Sequence, residues 1–292
     1  MTYSPPFVLN PIQKTTKPFV EQDVNLVVSC ATGSGKTAIA EFCFSYHLER
    51  GGRVAYVAPY RSLVSEKFES WEKMGCFSKH GLVLHTGENA PSRDDYEGGQ
   101  FLVTTIESFD SRVRSRFEWI RDIKCLVVDE AHLIGDASRG GALESALMGF
   151  TAMSPSSRLI LLSGTLGNVN DIGRWIKRLN GKVTKCIRSS WRPVEIDLRH
   201  HVVDDGWEGK MAKTLELLEK KLGKTIVFVH SKKVGREITE LLRSRGTKVA
   251  FHNASETKIA RRKIEQAFDD QWSGLDILVS TSTLGSGINL GG

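Results

Sequence analysis

No apolar run in the sequence approaches the roughly 20 residues that a bilayer-spanning helix needs, so a membrane partner is not expected. The opening residues MTYSPPFVLNPIQK hold no basic stretch followed by an apolar one, and nothing there points to a secretory leader. Cysteine is sparse. The five, at 30, 43, 76, 125 and 186, are odd in number and show no CxxC spacing, which speaks against a disulfide framework or a thiolate zinc site. Reduced, mostly core cysteines in a cytoplasmic chain, or a nuclear one in a eukaryote, are the expectation. Fixed-period repeats and low-complexity tracts are also missing, which excludes solenoids and tethers.

What is present is an ordinary globular composition, 40% apolar and 25% charged over 292 residues, enough for two compact domains. The net charge of +6 is unevenly spread. Between Lys232 and Lys263 ten Lys or Arg face three Glu, leaving the rest of the chain near neutral. Such a field suits a phosphate backbone, although the solvated faces of two helices would read the same way.

Short runs rich in Val, Ile and Leu alternate with helix-length amphipathic stretches. The expected strands are residues 25–30, 53–59, 81–86, 101–105, 125–130 and 158–164, then, after a break, 225–230, 248–252 and 276–280. Nearly continuous apolar strands separated by helices indicate an α/β fold with parallel sheets covered on both faces. Pro193 and the polar run through Gly206 interrupt the rhythm. Residues 1–190 are therefore expected to form one domain and 191–292 a linker and a second, partial one. The last run is followed only by glycine-rich sequence, so an exposed edge or a missing continuation is expected there.

The first run, NLVVSC, leads straight into ATGSGKT. Along Thr32, Gly33, Ser34 and Gly35 the glycines let backbone amides approach an anion closely. Lys36 opens a helix whose dipole favours negative charge, and Thr37 offers a hydroxyl to Mg²⁺. The full phosphate-loop pattern asks for glycine where Cys30 stands, and a glycine turn capping a helix is the plainer alternative. About ninety residues on, CLVVDEAH puts Asp129 and Glu130 at the carboxyl end of another apolar run, where ligands of open parallel sheets bind. Asp129 can hold Mg²⁺ through a water and Glu130 can deprotonate an attacking water. Capping of the next helix is the alternative role for the pair. Together the two stretches predict a Mg²⁺-dependent nucleoside triphosphate site, with ATP as its nucleotide.

Beyond that site, GKT, DEAH (129–132), LSGT (162–165), FVHSKK (228–233) and STLGSGINL (282–290) fall in the order and spacing of a DExH-box superfamily 2 helicase. The chain resembles the Ski-like branch, and EWIRDIKCLVVDEAHLIGD is most similar to the archaeal DNA-repair helicases. LNPIQ (9–13), SSWRPVEI (189–196) and HNASETKIARRKIEQAF (252–268) extend the resemblance over nearly the whole chain.

The resemblance implies two RecA-like domains, the second incomplete, and an ATP-dependent helicase or translocase moving 3′ to 5′ on single-stranded or tailed duplex DNA, with RNA as the alternative. It implies that Gln13 reads adenine, that Arg61, Thr105 and Thr281 contact the nucleic-acid backbone, and that Gly287 and Asn289 lie near the nucleotide. It assigns His132, Ser163 and Thr165 to coupling hydrolysis to strand binding, with His132 linking the acidic motif to its neighbour. Gln13 can equally be a loop polar residue, Asn289 a turn residue, His132 a structural histidine and Ser163-Gly-Thr165 a strand-end turn.

One expected element is missing. The family's Gln-x-x-Gly-Arg-x-Gly-Arg motif, whose arginines stabilise the transferring phosphate, does not occur in these residues. The chain reads as truncated before it, with weak hydrolysis and no processive unwinding unless a continuation or partner supplies the arginines. A nucleotide-gated binding fragment is accordingly the second reading, and a phosphate-loop switch or kinase indifferent to nucleic acid the third.

Overall fold

The computed structural model describes residues 3–203, 206–220, 223–281 and 284. The chain divides into two compact units after Glu195. Among the described residues no helix is long and apolar enough to cross a membrane.

In the first unit the chain runs through α1 (Pro11–Thr16), a 3₁₀ turn at Lys17–Phe19, β1 (Asn25–Cys30), α2 (Lys36–Leu48), β2 (Arg53–Ala58), α3 (Arg61–Glu72), α4 (Gly75–Ser78) and β3 (Leu82–His85). It continues through α5 (Arg93–Gly98), β4 (Phe101–Thr105), α6 (Ile106–Arg114), β5 (Ile123–Val128), α7 (Gly140–Met153), β6 (Arg158–Ser163), α8 (Val169–Asn180) and β7 (Thr184–Ser189). The sheet order is β3-β4-β2-β5-β6-β1-β7 and every pairing is parallel.

Strand side chains alternate between two cores, which is why the strands are apolar throughout. Leu26, Val28, Val54 and Tyr56 face one, packed with α2 and with Trp71 and Phe77. Val27, Ala55, Val57 and Leu126 face the other, under α6, α7 and α8. In the first, Phe44, Tyr56, Trp71 and Phe101 pack at ring separations of 4.6–6.5 Å and are fully buried. Burying an aromatic of this kind contributes about 1.5–3 kcal/mol.

The six expected strands are all found, and a seventh, β7, joins them beside β1. TKCIRS carries no strand signal of its own because a sheet edge buries little of it: only Ile187 is buried. The acidic pair also lies just beyond its strand, since β5 starts at Ile123 and ends at Val128.

The second unit comprises α9 (Gly206–Glu219), β8 (Thr225–Phe228), α10 (Lys232–Ser244), β9 (Val249–His252), α11 (Lys258–Asp269) and β10 (Ile277–Ser280). Its parallel sheet has the order β8-β10-β9. The exposed edge expected at the last strand is therefore corrected. β10 is central, with Leu278 and Val279 fully buried, because the crossover through α10 leaves a gap that β10 fills. Of the five cysteines, Cys30, Cys43 and Cys125 are buried, Cys76 is half-buried, Cys186 is exposed, and all are free thiols.

Candidate nucleotide site and strand-contact residues

The strand order makes β5, β6 and β1 immediate neighbours, so the segments that leave their carboxyl ends, 129–132, 163–165 and 31–37, emerge side by side. After β1 the backbone turns through Gly33 and Gly35, both at φ 78, a left-handed conformation that an L side chain resists. Ser34 is fully buried, and both its amide and its hydroxyl bond to the Ala31 carbonyl, at 3.2 and 2.6 Å. Thr32 and Gly33 are exposed at the loop's crest, and Thr37 is half-buried in the first turn of α2. The Lys36 ammonium folds back over the loop and donates to the Cys30 and Ala31 carbonyls, each at 3.3 Å.

The loop is also gripped from outside. Asn10 caps α1 and closes a reciprocal box with Gln13. From that box the Asn10 amide donates to the Ser34 carbonyl at 2.8 Å and the Gln13 amide to the Gly35 carbonyl at 3.2 Å. Gln13 is buried and its amide oxygen accepts from the Asn10 amide at 3.1 Å, which leaves it one N–H and one oxygen lone pair beyond these bonds. The sequence signal for Asn10 is local, Asn-Pro-x-Gln being a capping pattern with Pro at the first helical position, and it says nothing of the grip on Ser34.

At the acidic end the Asp129 carboxylate is buried and held twice, by the Tyr56 hydroxyl at 2.7 Å and by the Glu130 amide at 2.9 Å. Tyr56 carried no sequence signal beyond that of a core aromatic. Glu130 adopts φ 53 and ψ 42, a left-handed backbone. Burial, and next the charge of Asp129, push its carboxyl above the usual range, opposed by Lys36 and His132. His132 Nδ1 lies 3.3 Å from both the Glu130 carboxylate and the Ser163 hydroxyl. Ser163, fully buried, accepts in turn from the amide of the exposed Thr165 at 3.3 Å. Gly164 lies against the phosphate loop: a methyl group there would stand 3.2 Å from the Thr32 hydroxyl and 3.8 Å from the Lys36 ammonium.

Among the described residues no group of three His, Cys, Asp or Glu side chains can hold a metal ion by itself. The donor set still fits Mg²⁺, which keeps most of its waters and is bound by one or two carboxylates together with substrate phosphates. Each Asp129 oxygen retains lone pairs beyond its single bond.

The residues expected to touch a strand are placed differently from one another. Arg61 begins α3 and pairs with Glu88 at 2.6 Å, and both side chains are largely exposed. Thr105 is 3% exposed and spends its hydroxyl on capping α6, accepting from the Ser108 amide at 3.3 Å and donating to the Ser108 hydroxyl at 3.0 Å. In the second unit the Thr281 amide donates to the His252 carbonyl at 3.2 Å. The basic run lies on α10, α11 and their connection, with Lys233, Arg236 and Lys263 exposed, while Arg245 pairs with Glu219 at 2.8 Å. Gly287 and Asn289 lie outside the described residues.

Family models match both units. The DEAD/DEAH box helicase model matches residues 10–172, and the helicase conserved C-terminal domain matches residues 209–292. The ATP-dependent DNA helicase Hel308 of Pyrococcus horikoshii is 33% identical across 91% of this chain and 41% of its own length. That of Thermococcus kodakarensis is 31% identical across 94% of this chain and 27% of its own. The chain thus spans well under half of these curated relatives. Among solved structures, S. cerevisiae Dbp5 bound to RNA and ADP BeF3 aligns with TM-score 0.70 at 20% identity, over 96% of this chain and 72% of that one. Mycobacterium smegmatis helicase Lhr bound to ssDNA and AMP-PNP gives 0.70 at 22%, over 97% and 41%. At these identities the likeness shows the RecA-like fold alone.

Proposed function

Because the chain belongs to the DEAD/DEAH box helicase family, we propose that it binds Mg-ATP on the first unit and couples hydrolysis to holding and moving along a single strand of DNA. The observation that carries this reading is the convergence of the Lys36 loop, the Asp129–Glu130 pair and the Ser163 turn at one end of the sheet, joined through His132.

In this reading Lys36 exchanges its two loop carbonyls for phosphate oxygens, and the amides of residues 33–37 surround the same charge. Thr37 and Asp129 would hold Mg²⁺, which when bound neutralises charge on the phosphates. Glu130, with a carboxyl already raised toward neutrality, takes a proton from the attacking water. His132 ties the position of that carboxylate to Ser163, so a shift of the 163–165 turn reaches the base directly. Gln13 reads the adenine edge with its remaining N–H and oxygen lone pair.

On the strand side, exposed Arg61 offers a phosphate contact, as does Thr281 in the second unit, and such contacts position a strand without reading its sequence. Thr105 would act by fixing the start of α6. The basic faces of α10 and α11 add a sequence-independent attraction. DNA is preferred to RNA because the relatives matched over nearly the whole chain are named as DNA helicases.

The test is binding and turnover of ATP by this chain, with and without saturating single-stranded DNA and then matched RNA, at one salt concentration. Lys36→Ala should abolish Mg-ATP binding; retained affinity would overturn the site. Strand displacement from substrates with 3′ or 5′ tails tests the proposed 3′ to 5′ direction. A second reading is nucleotide-gated strand binding with little turnover. Strong DNA-stimulated hydrolysis by this chain alone would remove it.

A further inference from the structure

Arg158 opens β6 with no exposed surface, and among the described residues no carboxylate pairs with it. A buried guanidinium without a counter-ion is costly unless its N–H groups are all well used. Here each of its three nitrogens donates to a backbone carbonyl: Nε to Val24, Nη1 to Val20 and Nη2 to Phe19, each at 2.6 Å. These carbonyls belong to the 3₁₀ turn after α1 and to the chain leading into β1. The planar fork of an arginine suits three acceptors spread around it, whereas an ammonium presents its donors from one point.

The segment so fixed is the one that grips the phosphate loop. α1 runs directly into the 3₁₀ turn, with Thr16 followed by Lys17, so the two form a short continuous rod. At one end of the rod Asn10 and Gln13 hold the Ser34 and Gly35 carbonyls. At the other, Arg158 holds Phe19 and Val20. Arg158 begins its strand and the loop follows the end of the neighbouring parallel strand, so the two points lie about 20 Å apart along the sheet.

We infer that Arg158 is a positioning residue for the nucleotide site, acting at a distance by bolting the base of α1 to the sheet so that Asn10 and Gln13 hold the phosphate loop in its binding shape. The inference rests on the proposed Mg-ATP site and deepens it. Arg158 touches neither nucleotide nor metal. Its effect travels through the α1 rod, and removing it would leave the Asn10–Gln13 box intact but unanchored.

The experiment is a double-mutant cycle on Mg-ATP affinity with Arg158→Met, Gln13→Ala and the pair, at a temperature where circular dichroism shows each folded. Arg158→Met should raise the Kd roughly tenfold, and the pair should lose little more than the worse single variant, because both changes break one linkage. A purely structural arginine would give additive losses. Hydrogen exchange supplies the second readout: amides of residues 14–22 should lose protection in Arg158→Met while β1 and β6 keep theirs. Should Arg158→Met not fold, Arg158→Lys carries the same cycle, with a smaller loss expected. Unchanged affinity in a folded variant, or additive losses, would overturn the inference while leaving the nucleotide site standing. If the parent chain bound no Mg-ATP, the functional reading would fall and the inference with it, whatever the exchange pattern.

Discussion

Replacing Glu130 with glutamine should make the protein more stable at pH 7 while disabling turnover. Glu130 is a non-glycine residue held at φ 53, a conformation that costs about 1–2 kcal/mol. Its carboxyl is raised, first by burial and then by Asp129. A carboxyl whose folded value lies above its unfolded one binds protons more tightly when folded. Its stabilising contribution is complete below the unfolded value of 4.5 and is lost as pH rises through the folded value. Ionised Glu130 therefore weighs against folding at pH 7, and the neutral amide of glutamine removes that cost without changing shape. The gain should shrink to nothing as pH falls below 4.5, where both side chains are neutral. Glu130→Gly goes further by relieving the backbone. Set against an unfolded-state entropy cost of about 0.4–1 kcal/mol, the extra gain is about 0.5–1 kcal/mol, or roughly 1–4 °C in a unit of this size. Calorimetry at pH 7 and pH 4 reads both effects. In the same samples phosphate release should fall by about 10²–10⁴-fold, as expected for loss of a general base. A lower midpoint for Glu130→Gln at pH 7, or an equal shift at both pH values, would refute the assigned electrostatics.

Tyr56→Phe keeps the ring packing against Phe44 and Trp71 but strips the 2.7 Å bond from buried Asp129, and urea titration should show a loss of about 1.5–3 kcal/mol. Gly35→Ala would place a methyl group 2.2 Å from the Gln13 amide nitrogen in a left-handed backbone, so Mg-ATP affinity should fall. Part of that loss should return in the Gly35→Ala/Gln13→Ala pair, measured by equilibrium binding, because the shorter side chain removes the clash. In the second unit Gly235→Ala would set a methyl group 2.3 Å from the Phe251 ring where α10 packs on β9. Thermal melting should report a loss of about 1–3 kcal/mol for that overpacked contact.

The sequence disclosed the elements whose signal is local. Strands buried on both faces announce themselves as continuous apolar runs, and nine of the ten begin and end within a residue or two of where composition places them. β7 escaped because an edge strand with one buried side chain has no such run. The order of the second sheet escaped because which strand lies between which is set by crossover connections, not by any residue of β10.

The same division holds at the site. Residue identity determined the chemistry available here: glycines where the backbone must turn left-handed, a lysine opening a helix, two carboxylates ending a strand, and a histidine two residues beyond. These are short-range patterns, and they are enough to propose a nucleotide site. Only the tertiary structure decided which partners complete it, because those contacts join residues far apart in the chain. Tyr56 reaches Asp129 across neighbouring strands, His132 bridges Glu130 to Ser163, and Asn10 closes on Ser34 from a preceding helix. Burial, too, is a property of the folded molecule alone. It leaves Thr105 3% exposed with its hydroxyl capping α6, and it makes Glu130 a strained, reluctantly ionised carboxylate rather than one more acidic residue at the end of a strand.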